Sequence, residues 1–558
     1  MHFRLGALVT LAVVVFRPVH AQATPLMTVL LRAGVMSEAT GTGNLDVTMT
    51  IPAMQVAARA PLLTLPLLVP GLARPQKVLT IRVRDDRGQV PLNAVGNAGT
   101  GRWISPRAVS GTVVVAYRLL AENIPALSGG PPIGVRIDGD AISGTGAAMI
   151  MMPAVQRDYR ITLRWDLTAM GPGAEVVSGY GDGDVTLPAG PVTRLESGLF
   201  MAGHLQRSPR TGSGPFSAVW AGTPAFDPHS AMLWTSALHA AMSRFFQDKS
   251  EPPYRVFLRY NPMNAGGGAA FPHAFVATYG TGVTGESLKS ILGHEMTHTW
   301  TASDTLGAWY SEGNAVFYQM LLPWRFGLMT ADDYLTDLNK TASRYYTNAL
   351  RDTPEDSVAP HCWDDTRIRV LPYDRGAMYF AVLNGRIRRA SSGARSMDDL
   401  IRTMIVRARE KKPVNETVWL DLLRTELGDE GPTIHRRMMA GGLMLPESDD
   451  FGPCFRRTTQ LIREFDLGFD MTSIRGAVKT VKGLRPKSEA ATAGLRSGDR
   501  ISYALAMDDL QGDVNRTLDL QVTRNDSTFH IAYLPRGKAV SAYQWERNPT
   551  ATASECTS

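Results

Sequence analysis

The sequence predicts a multidomain α+β protein in which a mainly helical domain lies between two β domains. The chain has 558 residues, more than one hydrophobic core usually organises. β-like alternation of apolar and polar residues is concentrated toward the two ends of the chain, and helical periodicity dominates between them. Hydrophobic residues make up 44% and charged residues 20%, a globular composition that excludes a mainly disordered or fibrous chain.

Residues 1–21 have the pattern of a cleaved secretory signal peptide. His2 and Arg4 precede an apolar run over residues 5–16, and small or β-branched residues follow near Ala21. The run is too short to span a bilayer, and no later uninterrupted apolar run reaches that length. We therefore expect an exported protein, periplasmic or secreted, whose mature chain has no transmembrane segment.

Residues 22–203 are predicted to form a β domain of the sandwich type. Short runs rich in β-branched residues are separated by Gly, Pro and Asn, and apolar and polar residues alternate most clearly over residues 159–165. Such alternation buries one face of a strand and exposes the other. The other predicted strands are residues 46–51, 78–83 and 112–119.

Residues 204–457 are predicted to form the mainly helical domain. Its first part, residues 204–228, is rich in Pro, Gly and Ser and is predicted to be a linker or a long surface loop. A helical segment and a strand-like stretch, residues 254–260, follow. From residue 287 to residue 443 the apolar spacing is mainly helical, with Pro and Gly at the breaks.

The residues that carry chemistry begin with His294, Glu295 and His298, in the sequence HEMTH. Positions four apart in an α-helix lie on one face, one turn apart, so both imidazoles can reach one ion. Neutral imidazole is a common zinc ligand, and Glu295 would lie beside the ion, where it can take a proton from water. The alternative is a surface helix with incidental histidines.

Glu312 is the predicted third zinc ligand. It belongs to a second amphipathic stretch, WYSEGN, and the spacing from His298 is enough for a tight connection and a return helix. Two histidines and one glutamate leave one position of a tetrahedral zinc ion for water, as a catalytic site requires. We expect one zinc ion per chain. The alternative is an acid at a helix N-terminus, stabilised by the helix dipole.

The runs HEMTHTW and WYSEGNAVFY resemble the gluzincin metallopeptidases, and among them the glycyl-aminopeptidase family. Members of that family combine an N-terminal β domain, a thermolysin-like catalytic domain and a C-terminal PDZ domain, and the predicted domain order matches this layout. The chain resembles a divergent member of the family. This resemblance implies that His294, His298 and Glu312 bind zinc and that Glu295 is the catalytic base. It also implies that the substrates are peptides or proteins.

The sequence PYDRG, residues 372–376, is similar to the Tyr-x-Lys-Gly motif of this family and of the related aminopeptidase N family, with Arg375 in place of the lysine. In those families the tyrosine hydroxyl stabilises the tetrahedral intermediate, because a fixed donor offsets the charge of an oxyanion. The resemblance implies this role for Tyr373. The alternative is an ordinary core tyrosine. The tyrosines that compete for the role are Tyr310, Tyr345, Tyr346 and Tyr379.

A glycine-rich stretch before the zinc helix departs from the family pattern. Family members carry there a glutamate that resembles the acid holding the free α-amine in aminopeptidases. This chain has Gly266, Gly267 and Gly268 followed by Ala269, with no acid at the matching place. The glycines predict a sheet edge along which an extended substrate lies. Aminopeptidase and endopeptidase action therefore both stay open.

Residues 458–540 resemble a PDZ domain. Leu467, Gly468 and Phe469 match the loop whose amides receive a peptide carboxylate, so the resemblance implies a C-terminal peptide ligand for this module. The alternative is another small β-rich domain. Residues 541–558, rich in Thr, Ser and Ala, are predicted to be a flexible tail.

The three cysteines leave the disulfide pattern open. A bridge between Cys362 and Cys454 would tie together the ends of one domain and leave Cys556 unpaired. The formal net charge is +6, but the basic residues are dispersed. Their densest stretch, residues 402–412, is predicted to be a solvated helix face, so we expect no nucleic-acid partner.

The function hypothesis is an exported zinc metallopeptidase in which Glu295 acts as general base. The competing hypothesis is a catalytically inert protein that binds peptides through its PDZ-like module. A third is a different zinc hydrolase on the same scaffold. The intact set of His294, Glu295, His298 and Glu312 favours an enzyme over an inert protein.

Overall fold

The computed structural model describes residues 24–34, 42–69, 72, 74–122, 133–210, 215–250, 252–261, 265–476, 478–552 and 554–556. The predicted signal peptide, residues 1–21, lies outside the described residues. Across the ranges just given, no helix has both the length and the apolar character needed to cross a bilayer. The chain folds into an N-terminal unit (residues 24–203), a central unit (204–465 and 536–556) and a C-terminal unit (466–535), each with its own hydrophobic core.

The N-terminal unit consists mainly of β-strands. In chain order its elements are β1 (Leu26–Ala33), β2 (Thr42–Val56), β3 (Pro61–Pro66), β4 (Val78–Asp85), β5 (Gly88–Val90), β6 (Asn93–Asn97), β7 (Thr100–Ile104), β8 (Val109–Glu122), β9 (Arg136–Asp138), β10 (Ala141–Thr145), α1 (Gly146–Met149), β11 (Met152–Pro153), β12 (Tyr159–Asp166), β13 (Glu175–Ser178), β14 (Gly181–Asp182), β15 (Val185–Gly190) and β16 (Leu199–Gly203). The strands form three sheets, with the orders β15-β12-β1-β2-β8-β4-β5, β11-β3-β7-β6 and β14-β13-β16-β10-β9. The four strands predicted from the sequence are β2, β4, β8 and β12 of the first sheet, and burial alternates along β2 as the pattern predicts.

The central unit begins with a five-stranded sheet whose three inner strands are buried on both faces. Its strands are β17 (Gln206–Ser208), β18 (Phe216–Trp220), β19 (Tyr254–Tyr260), β20 (Gly268–Phe271) and β21 (Ala274–Tyr279), in the order β17-β18-β19-β21-β20. Val219, Phe257 and Val276 on one face contact Val177 and Met201 of the N-terminal unit. The other face packs against helices. Burial on both faces explains why β18 and β21 are nearly continuous apolar runs.

The predicted linker, residues 204–228, is partly wrong. It contains β17 and β18, and every residue of β18 is buried. Pro, Gly and Ser residues surround this short apolar run in the sequence, so composition alone did not reveal the strand.

Eleven helices in the described part of the central unit pack on the sheet and on one another, in agreement with the helical spacing of the sequence. They are α2 (Pro228–Phe245), α3 (Gly285–Thr301), α4 (Ala308–Gln319), α5 (Leu321–Arg325), α6 (Ala331–Tyr346), α7 (Val358–His361), α8 (Thr366–Arg369), α9 (Leu371–Ala390), α10 (Met397–Arg409), α11 (Glu416–Leu427) and α12 (Glu430–Met439).

The C-terminal unit is inserted between two strands that belong to the central unit. The two strands are β22 (Phe455–Phe465) and β27 (Arg536–Arg547). Between them, the C-terminal unit contains β23 (Lys479–Thr480), α13 (Glu489–Thr492), β24 (Arg500–Ser502), α14 (Met507–Gly512), β25 (Leu518–Arg524) and β26 (Ser527–Tyr533). β22 pairs with β27, and β23-β24-β25-β26 form a separate sheet around a small core. The β-rich character agrees with the sequence, but the range 458–540 also takes in parts of β22 and β27.

The predicted flexible tail begins inside a strand. Residues 541–547 belong to β27, and the backbone of Trp545 exchanges two hydrogen bonds with the side chain of Asn339 on α6. The return of β27 brings the chain end back to Cys454, which forms a disulfide with Cys556. The considered Cys362–Cys454 bridge is therefore wrong, because Cys362 is a free thiol.

The disulfide predicts a measurable stabilisation. It joins residues 102 positions apart, and in the chain-entropy account such long closed loops restrict the unfolded chain most. Cys556→Ser should lower the midpoint of thermal unfolding by about 5–15 °C, from roughly 2–4 kcal/mol of lost stabilisation. The matched control is Cys362→Ser, which removes the free thiol and should leave the midpoint nearly unchanged. Equal midpoints for the two variants would contradict the stabilising role.

Candidate metal centre

α3 presents His294 and His298 on one face. The helix begins after Thr284, whose hydroxyl accepts a hydrogen bond from the Ser287 amide and so caps the first turn. Its apolar face, with Leu288, Leu292 and Met296, lies fully buried in the central core. That burial fixes the rotation of the helix about its axis, and with it the direction of the two imidazoles.

The three predicted ligand atoms converge on one point. The Nε2 atoms of His294 and His298 are 3.2 Å apart, and they lie 3.2 and 3.3 Å from Oε2 of Glu312. Ligands roughly 2.0–2.1 Å from a tetrahedral zinc ion stand about 3.3–3.4 Å from one another. The donor set and its spacing therefore fit zinc, and within the described residues no other group of three such side chains is found.

Glycines allow the helices that carry these ligands to approach closely. A Cβ on Gly293 of α3 would lie 2.2 Å from the Gln319 carbonyl oxygen of α4. Likewise a Cβ on Gly376 of α9 would lie 2.7 Å from the Cα of Gly313, which follows Glu312 on α4. Since no real Cβ can occupy such positions, only glycine permits these two helix crossings.

His294 is oriented by a relay that the sequence did not predict. Its Nδ1 lies 3.1 Å from Oε1 of Gln319, and Nε2 of Gln319 donates to Asp337 on α6 at 2.8 Å. The hydroxyl of Ser290 donates to the other Asp337 oxygen. Because the Gln319 amide nitrogen is committed to Asp337, its oxygen faces His294, and the proton of the neutral imidazole is held on Nδ1.

Glu295 lies beside the ligands and under the edge strand β20. Only 6% of its surface is exposed, and a Cβ on Gly268 would fall 2.6 Å from its Oε1. Burial raises the pKa of the Glu295 carboxyl, and the imidazoles of His294 and His298 oppose that rise. A raised pKa suits a group that accepts and returns a proton near neutral pH.

Without a cation, Glu312 and His294 stabilise each other's charged form. Burial works against ionisation of Glu312, but hydrogen bonds from His294 and His298 hold its pKa well below the usual range. Burial also opposes protonation of His294, yet the contact with Glu312 raises the pKa of this imidazole. The carboxylate is thus ionised and ready to ligate a cation.

Tyr373 lies next to the three candidate ligands. Its ring stacks on the His294 imidazole with centroids 5.8 Å apart and planes 13° from parallel. Burial and the nearby Glu312 raise the pKa of the Tyr373 phenol well above its ordinary value, so the hydroxyl keeps its proton and can donate it in a hydrogen bond.

The competing tyrosines have structural roles instead. Tyr345 and Tyr346 bond to the backbone of Met444. Tyr379 accepts from the Trp419 indole and bonds to an imidazole. Tyr310 is buried in the central core. Tyr373 is therefore the candidate that the geometry favours.

Arg375, which replaces the lysine of the motif, has a structural role. It is fully buried, pairs with Glu355 and donates to the Thr353 carbonyl. The neighbouring Asp374 is likewise buried and makes a bidentate pair with Arg344 of α6. These two pairs join residues 374 and 375, which follow Tyr373 on α9, to α6 and to Glu355.

The glycine-rich stretch forms the start of the sheet edge. The Gly266 amide donates to the Thr278 carbonyl at 2.9 Å, and the Thr278 amide donates to the Gly267 carbonyl at 2.8 Å. Gly266 has φ +91°, a conformation that side chains disfavour. β20 pairs with β21 along one side only, and its residues are half-buried.

The predicted carboxylate loop lies in the C-terminal unit. The side chains of Leu467 and Phe469 belong to the core of that unit. The Gly468 amide donates to the Asp466 carboxylate at 2.9 Å, and the Gly468 carbonyl accepts from the Arg485 amide. The chain's own groups thus satisfy the glycine at the centre of the loop.

Comparison with known proteins rests on structure alone. No family model matches the sequence, and no curated protein matches it. Solved structures do match. An aminopeptidase N family protein from Idiomarina loihiensis has a TM-score of 0.68 at 13% identity, over 95% of this chain and 99% of that one. The chain is therefore a multidomain α+β protein with the fold of that protein over nearly its whole length.

Two further matches are weaker. An M1 zinc metallopeptidase from Deinococcus radiodurans has a TM-score of 0.45 at 18% identity, over 76% of this chain and 95% of that one. The native yeast LTA4 hydrolase has a TM-score of 0.44 at 11% identity, over 76% of this chain and 69% of that one.

The crossing of α4 and α9 predicts a steric effect. Gly376→Ala should force the helices apart, with an overpacking cost of about 1–3 kcal/mol, and should weaken zinc retention because Glu312 moves with α4. Zinc content after dialysis, measured by atomic absorption, checks this. The control is Gly285→Ala at the start of α3, where the new Cβ meets nothing closer than 3.8 Å. Equal zinc retention in both variants would refute the steric constraint.

The relay to His294 predicts an effect on metal affinity. Gln319→Leu removes the acceptor for Nδ1 and should weaken zinc binding about 10- to 100-fold, as loss of an orienting partner usually does. Competition with a chromophoric chelator measures this affinity. Gln521→Leu, on the half-exposed sheet of the C-terminal unit, is the control. An unchanged zinc affinity in Gln319→Leu would mean that the relay does not orient the ligand.

Proposed function

We propose that the chain is an exported zinc-dependent metallopeptidase. The observation that carries this proposal is the convergence of His294, His298 and Glu312 at the spacing of tetrahedral zinc ligands, with Glu295 and Tyr373 beside them. Three protein ligands leave a position for water, which distinguishes a catalytic zinc site from a closed structural one. The fold shared with an aminopeptidase N family protein supports the same conclusion.

Glu295 is the proposed general base. Zinc, when bound, supplies a Lewis acid and lowers the pKa of water at the site. The Glu295 carboxylate takes the proton from the attacking water and later returns it to the leaving amine. Its burial excludes bulk water from that exchange and keeps its basicity higher than that of an exposed glutamate.

Tyr373 is the proposed oxyanion donor. The carbonyl oxygen of the attacked peptide bond gains negative charge, and a hydroxyl held in place stabilises that charge without reorganising. The substrate backbone is proposed to lie extended along β20, where the half-buried residues from Gly268 to Phe271 leave one side of the strand unpaired by the sheet.

Export is proposed from two separate observations. Residues 1–21 have the pattern of a signal peptide. The Cys454–Cys556 disulfide is typical of an oxidising compartment such as the periplasm or the extracellular space.

The loop of the PDZ-like module disfavours a peptide-binding role. In the loop of Leu467, Gly468 and Phe469, the Gly468 amide is already bonded to the Asp466 carboxylate. A peptide carboxylate would have to displace that oxygen from the Gly468 amide. An inert peptide-binding protein is therefore not favoured over the enzyme.

Two cleavage modes fit the site. β20 carries no carboxylate to receive a free α-amine, which favours cleavage within a peptide, whereas the fold match favours trimming from the N-terminus. A peptide pool with free and with acetylated N-termini, analysed by mass spectrometry, separates them. Loss of single N-terminal residues from the free pool alone identifies an aminopeptidase, and internal cuts in both pools identify an endopeptidase.

The proposed base predicts a large loss of turnover. Glu295→Gln should lower kcat by about 10²- to 10⁴-fold while zinc content stays at one ion per chain, because Glu295 is not a ligand. The control is Glu286→Gln, an exposed acid on the same helix paired with Lys289, which should keep full activity. Comparable hydrolysis by Glu295→Gln and the unmodified protein would refute the proposed mechanism.

A further inference from the structure

A helix of the C-terminal unit contacts the segment that leads to Tyr373. Asp508 of α14 pairs with Arg369 and accepts a hydrogen bond from the Thr366 hydroxyl. Gln511 of α14 donates to the same hydroxyl at 2.9 Å. Both contacted residues lie on α8, and only Val370 separates α8 from α9.

The same segment is held at its other end. Arg475 of the C-terminal unit donates to the backbone carbonyl of Asp364 and pairs with its carboxylate at 3.3 Å. The C-terminal unit therefore contacts residues 364–369 at both ends of the segment, through Arg475 and through α14. Each contact joins a charged or hydroxyl group to a specific partner, so the docking has a defined register.

α14 is itself firmly anchored. The Arg536 guanidinium, at the start of β27, donates to the carbonyls of Leu510 and Asp513 at 2.6 and 2.7 Å. Gly512 approaches α6 so closely that a Cβ there would lie 2.9 Å from Cγ of Lys340. Because β27 belongs to the central unit, α14 is fixed to the frame that carries the metal ligands.

The Tyr373 hydroxyl depends on this backbone. It makes no hydrogen bond to a residue that the structure describes, and its ring contacts His294 by stacking. The first turn of α9 also lacks a side-chain cap at Val370. A stacked ring can slide along its partner, so the position of the hydroxyl follows the position of the α9 N-terminus.

We propose that α14, through Asp508 and Gln511, is a positioning element for Tyr373: it holds residues 364–369 and thereby fixes the oxyanion donor over the zinc site. This inference rests on the proposed peptidase function. The C-terminal unit then contributes to catalysis by positioning Tyr373. The face of α14 that carries Asp508 and Gln511 packs against α8.

The test combines two variants that weaken the contact between α14 and α8, called the loosening variants, with a variant that removes the Tyr373 hydroxyl. Asp508→Asn removes the pairing with Arg369, and Thr366→Val loosens the same contact without changing charge. Each should lower kcat about 10-fold through misplacement of the donor, with KM changed less than about twofold and zinc content unchanged. In a Tyr373→Phe background the same variants should cost less than about twofold, because coupled residues are not additive.

The control is Asp519→Asn, an exposed acid of the same unit paired with His530, which should leave kcat unchanged. Equal losses in the two backgrounds, or no loss from either loosening variant, would overturn the positioning role. Amide hydrogen exchange over residues 366–376 gives an activity-free readout: it should accelerate in Asp508→Asn and Thr366→Val but not in Asp519→Asn.

Failure of the proposed function has a different signature. If the unmodified zinc-loaded protein hydrolyses neither peptide pool, the peptidase proposal fails, and with it the role of Tyr373 as donor. Hydrogen exchange then decides whether α14 holds the first turn of α9. Unchanged exchange in both loosening variants would overturn that contact as well.

Discussion

The candidate site depends on two places where helix backbones touch. α3 meets the end of α4 at Gly293, and α4 meets α9 where Gly313 and Gly376 face each other. A side chain at any of these positions would force the helices apart, because an added Cβ would lie 2.2 to 2.8 Å from the neighbouring backbone. The first crossing places His294 beside Gln319, and the second places Tyr373 beside Glu312. Three separate segments of chain thereby become one chemical centre.

The charges at this centre are balanced for a divalent cation. Two carboxylates, Glu295 and Glu312, lie in a largely buried environment together with two imidazoles. Without a cation, the contact with Glu312 raises the pKa of the His294 imidazole and so favours a compensating proton on it. With zinc bound, that proton leaves, and the ion takes over the compensation. Metal binding and the protonation state of the ligands are therefore linked.

Local patterns in the sequence made part of the candidate site and part of the fold predictable. His294 and His298 are one helical turn apart, and such neighbours are certain to share a face once the helix is recognised. Glu312 and Tyr373 were found because short motifs surround them. The strands of the N-terminal unit were found because burial of one face leaves a period of two in the sequence.

Features that depend on distant chain segments were missed. Gln319 reaches His294 because α3 and α4 cross, although its place two helical turns after Glu312 was a usable signal. β18 lacks any period because both of its faces are buried. The partner of Cys454 could not be chosen, since the pairing follows from the return of β27 along β22. In each case the deciding contact is between residues far apart in sequence.

The pairing of β22 with β27 also bears on how such an architecture could have arisen. Phe465 and Arg536, the residues at which the chain leaves and re-enters the central unit, face each other across the same two-stranded ladder. Topologically the C-terminal unit is an elaborated hairpin loop, and a short turn could close the same ladder. A scaffold in which β22 and β27 were already paired could therefore have gained this unit in one insertion, without any rearrangement of the strands that received it.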